Sequence, residues 1–270
     1  MSTIVVKFGG ASIKSPAGFR RIAEIIAGKK QVFNQVLVVL SAMGSTTSNL
    51  LLLAKKIHPN PPKREADMLL SAGERISAAL LAMALKRNGL DAMSFTGSQA
   101  GIITCSRHTD ARIIDVKPYR LLPPLREGKI VIVAGFQGTT LDDRITTLGR
   151  GGSDTTAVAI AGALGALQVD FYKDVPGIFS QDPKKDPTAT HYKQLTYREA
   201  KLIVQKGAQI LHDRCLDLAE TMQMPLRVLS YEPAPSKGEL STWIRGEEDS
   251  ISAPGFEKLS GDRKEGLASV

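Results

Sequence analysis

Thr147-Leu148-Gly149-Arg150-Gly151-Gly152-Ser153-Asp154-Thr155-Thr156 is a glycine turn that leads straight into small helix formers, Ala157 to Ala163. Gly151 and Gly152 let the backbone approach a ligand closely. Ser153 is a natural N-cap, and the free N–H groups of a first helical turn form an anion site. Arg150 beside them offers a planar fork for a carboxylate or phosphate. The segment predicts a site for something small and negatively charged.

Working outward, apolar runs that read as strands lie at Ile4–Phe8, Val36–Leu40, Ala92–Phe95, Ile130–Ala134, Leu167–Tyr172 and Leu226–Leu229. Helical patterns fall between them, near Pro16–Ala27, Arg64–Lys86, Asp154–Leu164, Tyr197–Lys206 and Asp213–Met222. The strands are continuously hydrophobic rather than alternating, which points to an α/β fold with a mainly parallel sheet covered on both faces. Pro59-Asn60-Pro61-Pro62 ends one helix and starts the next.

A second glycine turn follows the first strand, in Ile4-Val5-Val6-Lys7-Phe8-Gly9-Gly10-Ala11-Ser12, with Ser15 as N-cap and Pro16 opening the next helix. Lys7 is out of place in an apolar strand. A buried, unpaired ammonium is expensive, so it should face a carboxylate, a phosphate or water; the plainer alternative is an edge-strand lysine reaching solvent. A P-loop needs Gly-Lys-Ser/Thr, whereas the chain has Ile13-Lys14-Ser15. A dinucleotide fingerprint needs a third glycine where Asp154 stands.

The chain has 270 residues, 43% hydrophobic and 23% charged, enough for a substantial core. Its net charge of +8 is dispersed and only 5% of residues are aromatic, which suits anionic metabolites and argues against nucleic acid. Cys105 and Cys215 show neither metal-ligand nor disulfide spacing, and His58, His108, His191 and His212 are scattered. No signal peptide and no apolar run of membrane-spanning length is evident, so the expected location is the cytoplasm, without membrane contact. After Trp243-Ile244 the sequence turns polar, and residues 246–270 read as a linker or tail, in keeping with the start of a further module.

Four blocks in order resemble the aspartate kinases of the amino-acid kinase family. They are Lys7-Phe8-Gly9-Gly10-Ala11-Ser12, Ser41-Ala42-Met43-Gly44 with Thr46-Thr47, Ser71-Ala72-Gly73-Glu74-Arg75, and Thr147 to Thr156. Asp174-Val175-Pro176-Gly177-Ile178-Phe179 with Asp182-Pro183-Lys184 extends the last. The resemblance implies a three-layer αβα sandwich and a catalytic domain over residues 1–245, with the sequence stopping about where the regulatory ACT domains of many aspartate kinases begin. It further implies transfer of the γ-phosphoryl of ATP to the β-carboxylate of L-aspartate, the step that opens lysine, threonine and methionine biosynthesis. Mg²⁺ would be carried by the nucleotide, with no metal site on the protein itself, and the assembly would be a homo-oligomer.

Residue by residue, the resemblance makes Lys7 and Asp154 catalytic, Lys7 on the transferring phosphoryl group and Asp154 its counter-charge. Thr47, Glu74, Arg150, Gly151, Gly152 and Ser153 fall on the aspartate side, Glu74 facing the α-ammonium and Arg150 the α-carboxylate. Lys7, Phe8, Gly9, Gly10, Ser41, Lys173, Asp174, Phe179, Asp182, Lys184 and Gln209 fall on the nucleotide side. Plainer readings stand beside these. Asp154 is also a first-turn acid suited to the helix dipole, Glu74 a solvated helix charge, Thr47 an N-cap, and Asp-Val-Pro-Gly good turn chemistry. His212 is assigned no chemistry. The chain departs from the family pattern at Ala11, Lys173, Lys184 and Gln209. Lys173 stands where a small hydroxyl residue is usual and Gln209 where a lysine is common, so weak ATP affinity is expected. The other readings are a kinase for another small acid and a non-catalytic paralogue that binds aspartate.

Overall fold

The computed structural model describes residues 2–183, 186, 188–208, 210–232 and 240–246. Lys184, Gln209 and the tail beyond Gly246 lie outside them. In chain order the strands are β1 (Thr3–Phe8), β2 (Gln35–Leu40), β3 (Ala92–Phe95), β4 (Ile102–Thr104), β5 (Ile113–Val116), β6 (Ile130–Ala134), β7 (Gln137–Thr139), β8 (Ile145–Thr147), β9 (Gln168–Lys173), β10 (Ile178–Phe179), β11 (His191–Tyr192), β12 (Gln194–Thr196), β13 (Leu226–Ser230) and β14 (Ser241–Arg245). The helices are α1 (Pro16–Val32), α2 (Thr46–Ile57), α3 (Lys63–Leu70), α4 (Ala72–Arg87), α5 (Leu122–Arg126), α6 (Gly152–Leu164), α7 (Tyr197–Gln205) and α8 (Asp213–Thr221).

Eight strands form the main sheet in the order β12-β14-β13-β9-β1-β2-β6-β3, and every neighbouring pair is parallel except β13 with β14. All six residues of β1 are buried, as a central strand covered on both faces requires. Successive side chains point to opposite faces, so each strand feeds two cores. Val5, Val39, Val133 and Phe171 pack with α6 and α8, whereas Ile4, Val6, Val38 and Ile132 pack with α1 and α4. The result is the expected three-layer α/β sandwich. A second sheet, β5-β4-β7-β8, carries the glycine turn at the end of β8.

The chain leaves β1 toward β2 on one side and returns as β9 on the other. Such a reversal opens a crevice at the carboxyl ends of the strands, the usual ligand position in open parallel sheets. Both glycine turns meet there.

One predicted helix is two. Arg64–Lys86 breaks at Ser71, whose hydroxyl donates to the Met68 carbonyl (3.0 Å) and whose own carbonyl accepts from Gln137 Nε2 (2.8 Å). The combined run Lys63–Arg87 is long and apolar enough to cross a bilayer, contrary to the sequence reading, but half of its apolar window is buried in the protein. It is a pair of helices with one face on the protein interior, Ala78, Leu81 and Leu85 of α4 among the core residues and Ile76 and Met83 exposed. Helix α2 is the one that Pro59-Asn60-Pro61-Pro62 ends, while helix α5 and the short or exposed strands β4, β5, β7, β8, β10, β11, β12 and β14 do not show in the sequence pattern.

Candidate functional site

Lys7 is buried, and it has the partner its cost demands. Its ammonium lies 2.5 Å from Asp154 Oδ1, an ion pair without hydrogen-bond alignment, while Lys173 donates to Asp154 Oδ2 at 3.1 Å. The edge-strand reading of Lys7 fails because β1 is central. Asp154 sits in the first turn of α6, which crosses β1 and β9. Burial pushes its carboxyl up, but Lys173 and Lys7 outweigh this and hold it at about 2, below the ordinary 3.8. That carboxylate therefore contributes stability above about pH 4 that is lost as pH falls through about 2. Burial pushes the Lys7 ammonium down, with Asp154 opposing the shift and Lys173 adding to it.

The glycine turn after β1 folds onto the loop after β2. Gly44 N–H donates to the Gly10 carbonyl (3.0 Å), and a Cβ on Gly10 would come within 2.5 Å of the Ala42 carbonyl oxygen. Gly9 stands over Lys7, its notional Cβ 3.7 Å from the ammonium. Ser41, at the end of β2, bonds through its N–H to the Phe8 carbonyl (3.2 Å), so it belongs to the same corner.

Glu74 enters from the first turn of α4, not from a helix interior as its sequence position suggested, and it is only 3% exposed. The solvated-charge reading of Glu74 therefore fails. Ala42 N–H donates to its Oε1 (3.0 Å), and its Oε2 is buried with no hydrogen-bond partner among the described residues. Burial pushes its pKa up to about 7, against the Ala42 N–H and the nearby Lys7. Gly73 permits this placement, because a Cβ there would come within 2.8 Å of the Ala42 Cβ. Thr47 is half-buried inside the first turn of α2, whose cap is Ser45 rather than Thr47.

The turn before α6 also differs from expectation. Gly151, at φ 71°, is the N-cap and Ser153 lies inside the helix, because a Cβ at 151 would overlap His212. A Cβ on Gly152 would crowd Leu148 and Phe136. Arg150 is exposed and pairs with no carboxylate among the described residues. His212 caps α8, accepting from the Arg214 N–H (3.4 Å), which is a structural task.

Some groups that hold the site were missed in the sequence. Asp67 is fully buried and gathers Thr109 N–H (3.1 Å), the Thr147 hydroxyl (2.5 Å) and His108 Nδ1 (2.7 Å), so it ties α3 to the strand entering the Arg150 turn. A charge inside the apolar run Ala66-Asp67-Met68-Leu69-Leu70 was the available signal. Phe136, a non-glycine residue at φ 68°, donates its N–H to the Thr156 hydroxyl (3.2 Å) and packs under Gly152. Nothing local to Phe136 announces this.

Lys173, Asp174, Phe179 and Asp182 line one cavity of about 660 Å³ with Tyr192 and Ile210. Four of the nine described residues of the predicted nucleotide set share this cavity, whereas Lys7, Phe8, Gly9, Gly10 and Ser41 lie at the corner after β1 and do not line it. Lys173 belongs to both places, touching Asp154 and the cavity wall.

Glycine turns, buried ammonium groups and a cavity near the reversal point of a parallel sheet give this α/β protein a site whose chemistry suits phosphate groups. The chain belongs to the amino acid kinase family, whose model matches residues 2–230. It is 51% identical to the aspartokinase of Mycolicibacterium smegmatis over 87% of this chain and 56% of that protein. It is 50% identical to aspartokinase 2 of Bacillus subtilis over 85% of this chain and 56% of the relative. The structure of aspartate kinase from Synechocystis matches with a TM-score of 0.78 at 42% identity, covering 91% of this chain and 40% of that one. Aspartokinase III of E. coli, solved with aspartate and ADP, matches with a TM-score of 0.79 at 28% identity, covering 91% and 65%. The chain therefore spans just over half the length of the curated relatives it matches.

Proposed function

We propose that this chain transfers the γ-phosphoryl group of MgATP to the β-carboxylate of L-aspartate, giving 4-phospho-L-aspartate. The observation that carries the reading is the pairing of two features around one crevice. A lysine–aspartate–lysine cluster adjoins the cavity, and a buried carboxylate with one unpartnered oxygen stands at Glu74. The first suits a transferring phosphoryl group, and the second suits the α-ammonium of an amino acid. Half-length identity to aspartokinases supports the same choice of acceptor. The catalytic unit in this reading is residues 1–245, since every strand of the main sheet falls between Thr3 and Arg245.

The acceptor carboxylate is already ionised at neutral pH, so no base is required. One of its oxygens attacks the γ-phosphorus, the bond from phosphorus to the bridging oxygen breaks, and ADP leaves with that electron pair. The protein's task is positioning and charge neutralisation. Lys7 meets charge developing on the transferred group. Gly9, Gly10 and Ser41 shape the phosphate corner. Mg²⁺ would arrive as part of the nucleotide substrate, and Asp154, with both oxygens facing ammonium groups, is committed to the lysines rather than to the metal. Thr47 and the Arg150-Gly151-Gly152-Ser153 turn complete the aspartate side. A glutamate facing the free ammonium disfavours an N-acetylated acceptor.

Hydroxylamine trapping of acyl phosphate tests the reading, with L-aspartate and N-acetylglutamate in parallel. Hydroxamate with aspartate alone is expected; none from folded protein would refute the transfer. Arg150 is exposed, so its removal should leave the core undisturbed. Arg150→Ala should therefore raise KM for aspartate about 10- to 100-fold through a lost charged contact, leaving kcat within about threefold. An unchanged KM would remove Arg150 from the site.

A further inference from the structure

Lys173 ends β9, and its place follows from sheet geometry. In the parallel register Lys7 stands beside Phe171, so the two side chains share a face of the sheet. Residues two apart on a strand point the same way, which brings Lys173 to that face as well. Helix α6 lies across it with Asp154 in its first turn. The carboxylate is therefore held from both sides, Lys7 on Oδ1 and Lys173 on Oδ2. All three side chains are largely buried, at 6%, 16% and 9% exposure for Lys7, Lys173 and Asp154.

Two ammonium groups on one carboxylate leave one positive charge unmatched within the cluster. An unmatched charge is costly where water is scarce, and an arriving anion offsets that cost. If Asp154 needed only a counter-charge, Lys7 alone would satisfy it. The second ammonium stands where the ion-pair cluster opens into the cavity lined by Asp174, Phe179 and Asp182.

Resting on the kinase reading above, we propose that Lys173 is a second catalytic cation, placed on the leaving-group side of the phosphoryl transfer. Lys7 meets the charge on the group being transferred. Lys173 meets the charge that gathers on the bridging oxygen between the β- and γ-phosphates as that bond breaks. The electron pair stays with ADP and no proton moves. Asp154 keeps the two lysines apart and aimed, and Lys173 makes the site favour a triphosphate over a diphosphate.

The test uses the full chain and compares wild type with Lys173→Gln and Lys173→Arg. Gln still donates to Asp154 and so preserves its positioning, but it removes the charge. MgATP and MgADP affinities are measured by calorimetry without acceptor, and kcat by hydroxamate formation. Lys173→Gln should lower kcat by about 10²-fold, as loss of one transition-state donor does, and should reduce the ratio of ATP to ADP affinity about tenfold. Lys173→Arg should restore most of the affinity ratio. A kcat within twofold of wild type would overturn the proposal. So would a fallen kcat with an unchanged affinity ratio, which would leave Lys173 as a prop for Asp154. The nucleotide arm needs no turnover, so a wild-type protein inert toward aspartate sinks the acceptor assignment and leaves this one to be judged on binding.

Discussion

Lys7→Met is expected to lower hydroxamate formation about 10³-fold while leaving the melting temperature within a few degrees of wild type. The two halves of this result have separate causes. Lys7 is buried on a central strand, where burial works against its charge and the Asp154 carboxylate only partly offsets that cost. Its use is on the charge of the transferring group. Removing one partner of a buried ion pair ordinarily costs several kcal/mol because the other is orphaned. Here Asp154 keeps Lys173 at 3.1 Å, so the carboxylate stays matched and the methionine stem fills the lysine's space. Steady-state kinetics with a thermal melt on the same sample decides the matter. Near-full activity would end the phosphoryl-transfer assignment.

Glu74→Gln is expected to raise KM for aspartate by roughly 10²-fold with a smaller effect on kcat, the loss expected when one member of a buried charge pair is removed. It should also change the pH profile. Wild-type Glu74 titrates near pH 7 before substrate binds, and only its ionised form attracts an ammonium. Aspartate affinity should thus weaken as pH falls below 7, and binding at pH 6.5 should release a proton, visible as a dependence of calorimetric heat on buffer ionisation. Gln cannot titrate, so its profile should be flat over that range.

The sign for stability is the reverse. An unfolded glutamate ionises near 4.5 and the folded one near 7, so the folded state holds its proton longer and loses stability as pH rises between those values. Gln carries no such penalty. The variant should be more stable than wild type at pH 8, by up to roughly 3 kcal/mol. A substitution that weakens binding and raises stability would identify Glu74 as a residue kept for its ligand. A lower melting temperature at pH 8 would contradict this.

Several parts of this architecture were legible before any coordinates. The runs at β1, β2, β6 and β9 are strands buried along nearly their whole length, and such strands write themselves as unbroken apolar segments, while β3 at the sheet edge and β13 are partly open yet apolar enough to show. The small sheet was hidden for the converse reason. Its strands Ile102–Thr104, Gln137–Thr139 and Ile145–Thr147 are only three residues each, and Ile113–Val116 is half open to solvent, too little for any period to show. The break at Ser71 was equally silent, since Gln137, which draws its carbonyl out of the helix, is 66 residues away.

By itself the sequence determined that a lysine misplaced in an apolar strand would need an anionic partner, because a charge in such a strand is a local signal with a local cost. Only the tertiary structure decided which groups share that anion. Lys173 and Asp154 are 19 residues apart, and Lys7 meets both because β9 returns to pair with β1 after the chain has built the other half of the sheet. Strand order is a property of the crossovers rather than of any single segment. The same holds for Glu74, whose buried oxygen depends on Gly73 fitting against Ala42 across the crevice. Chemistry was written in single residues, and its assembly in the order of the strands.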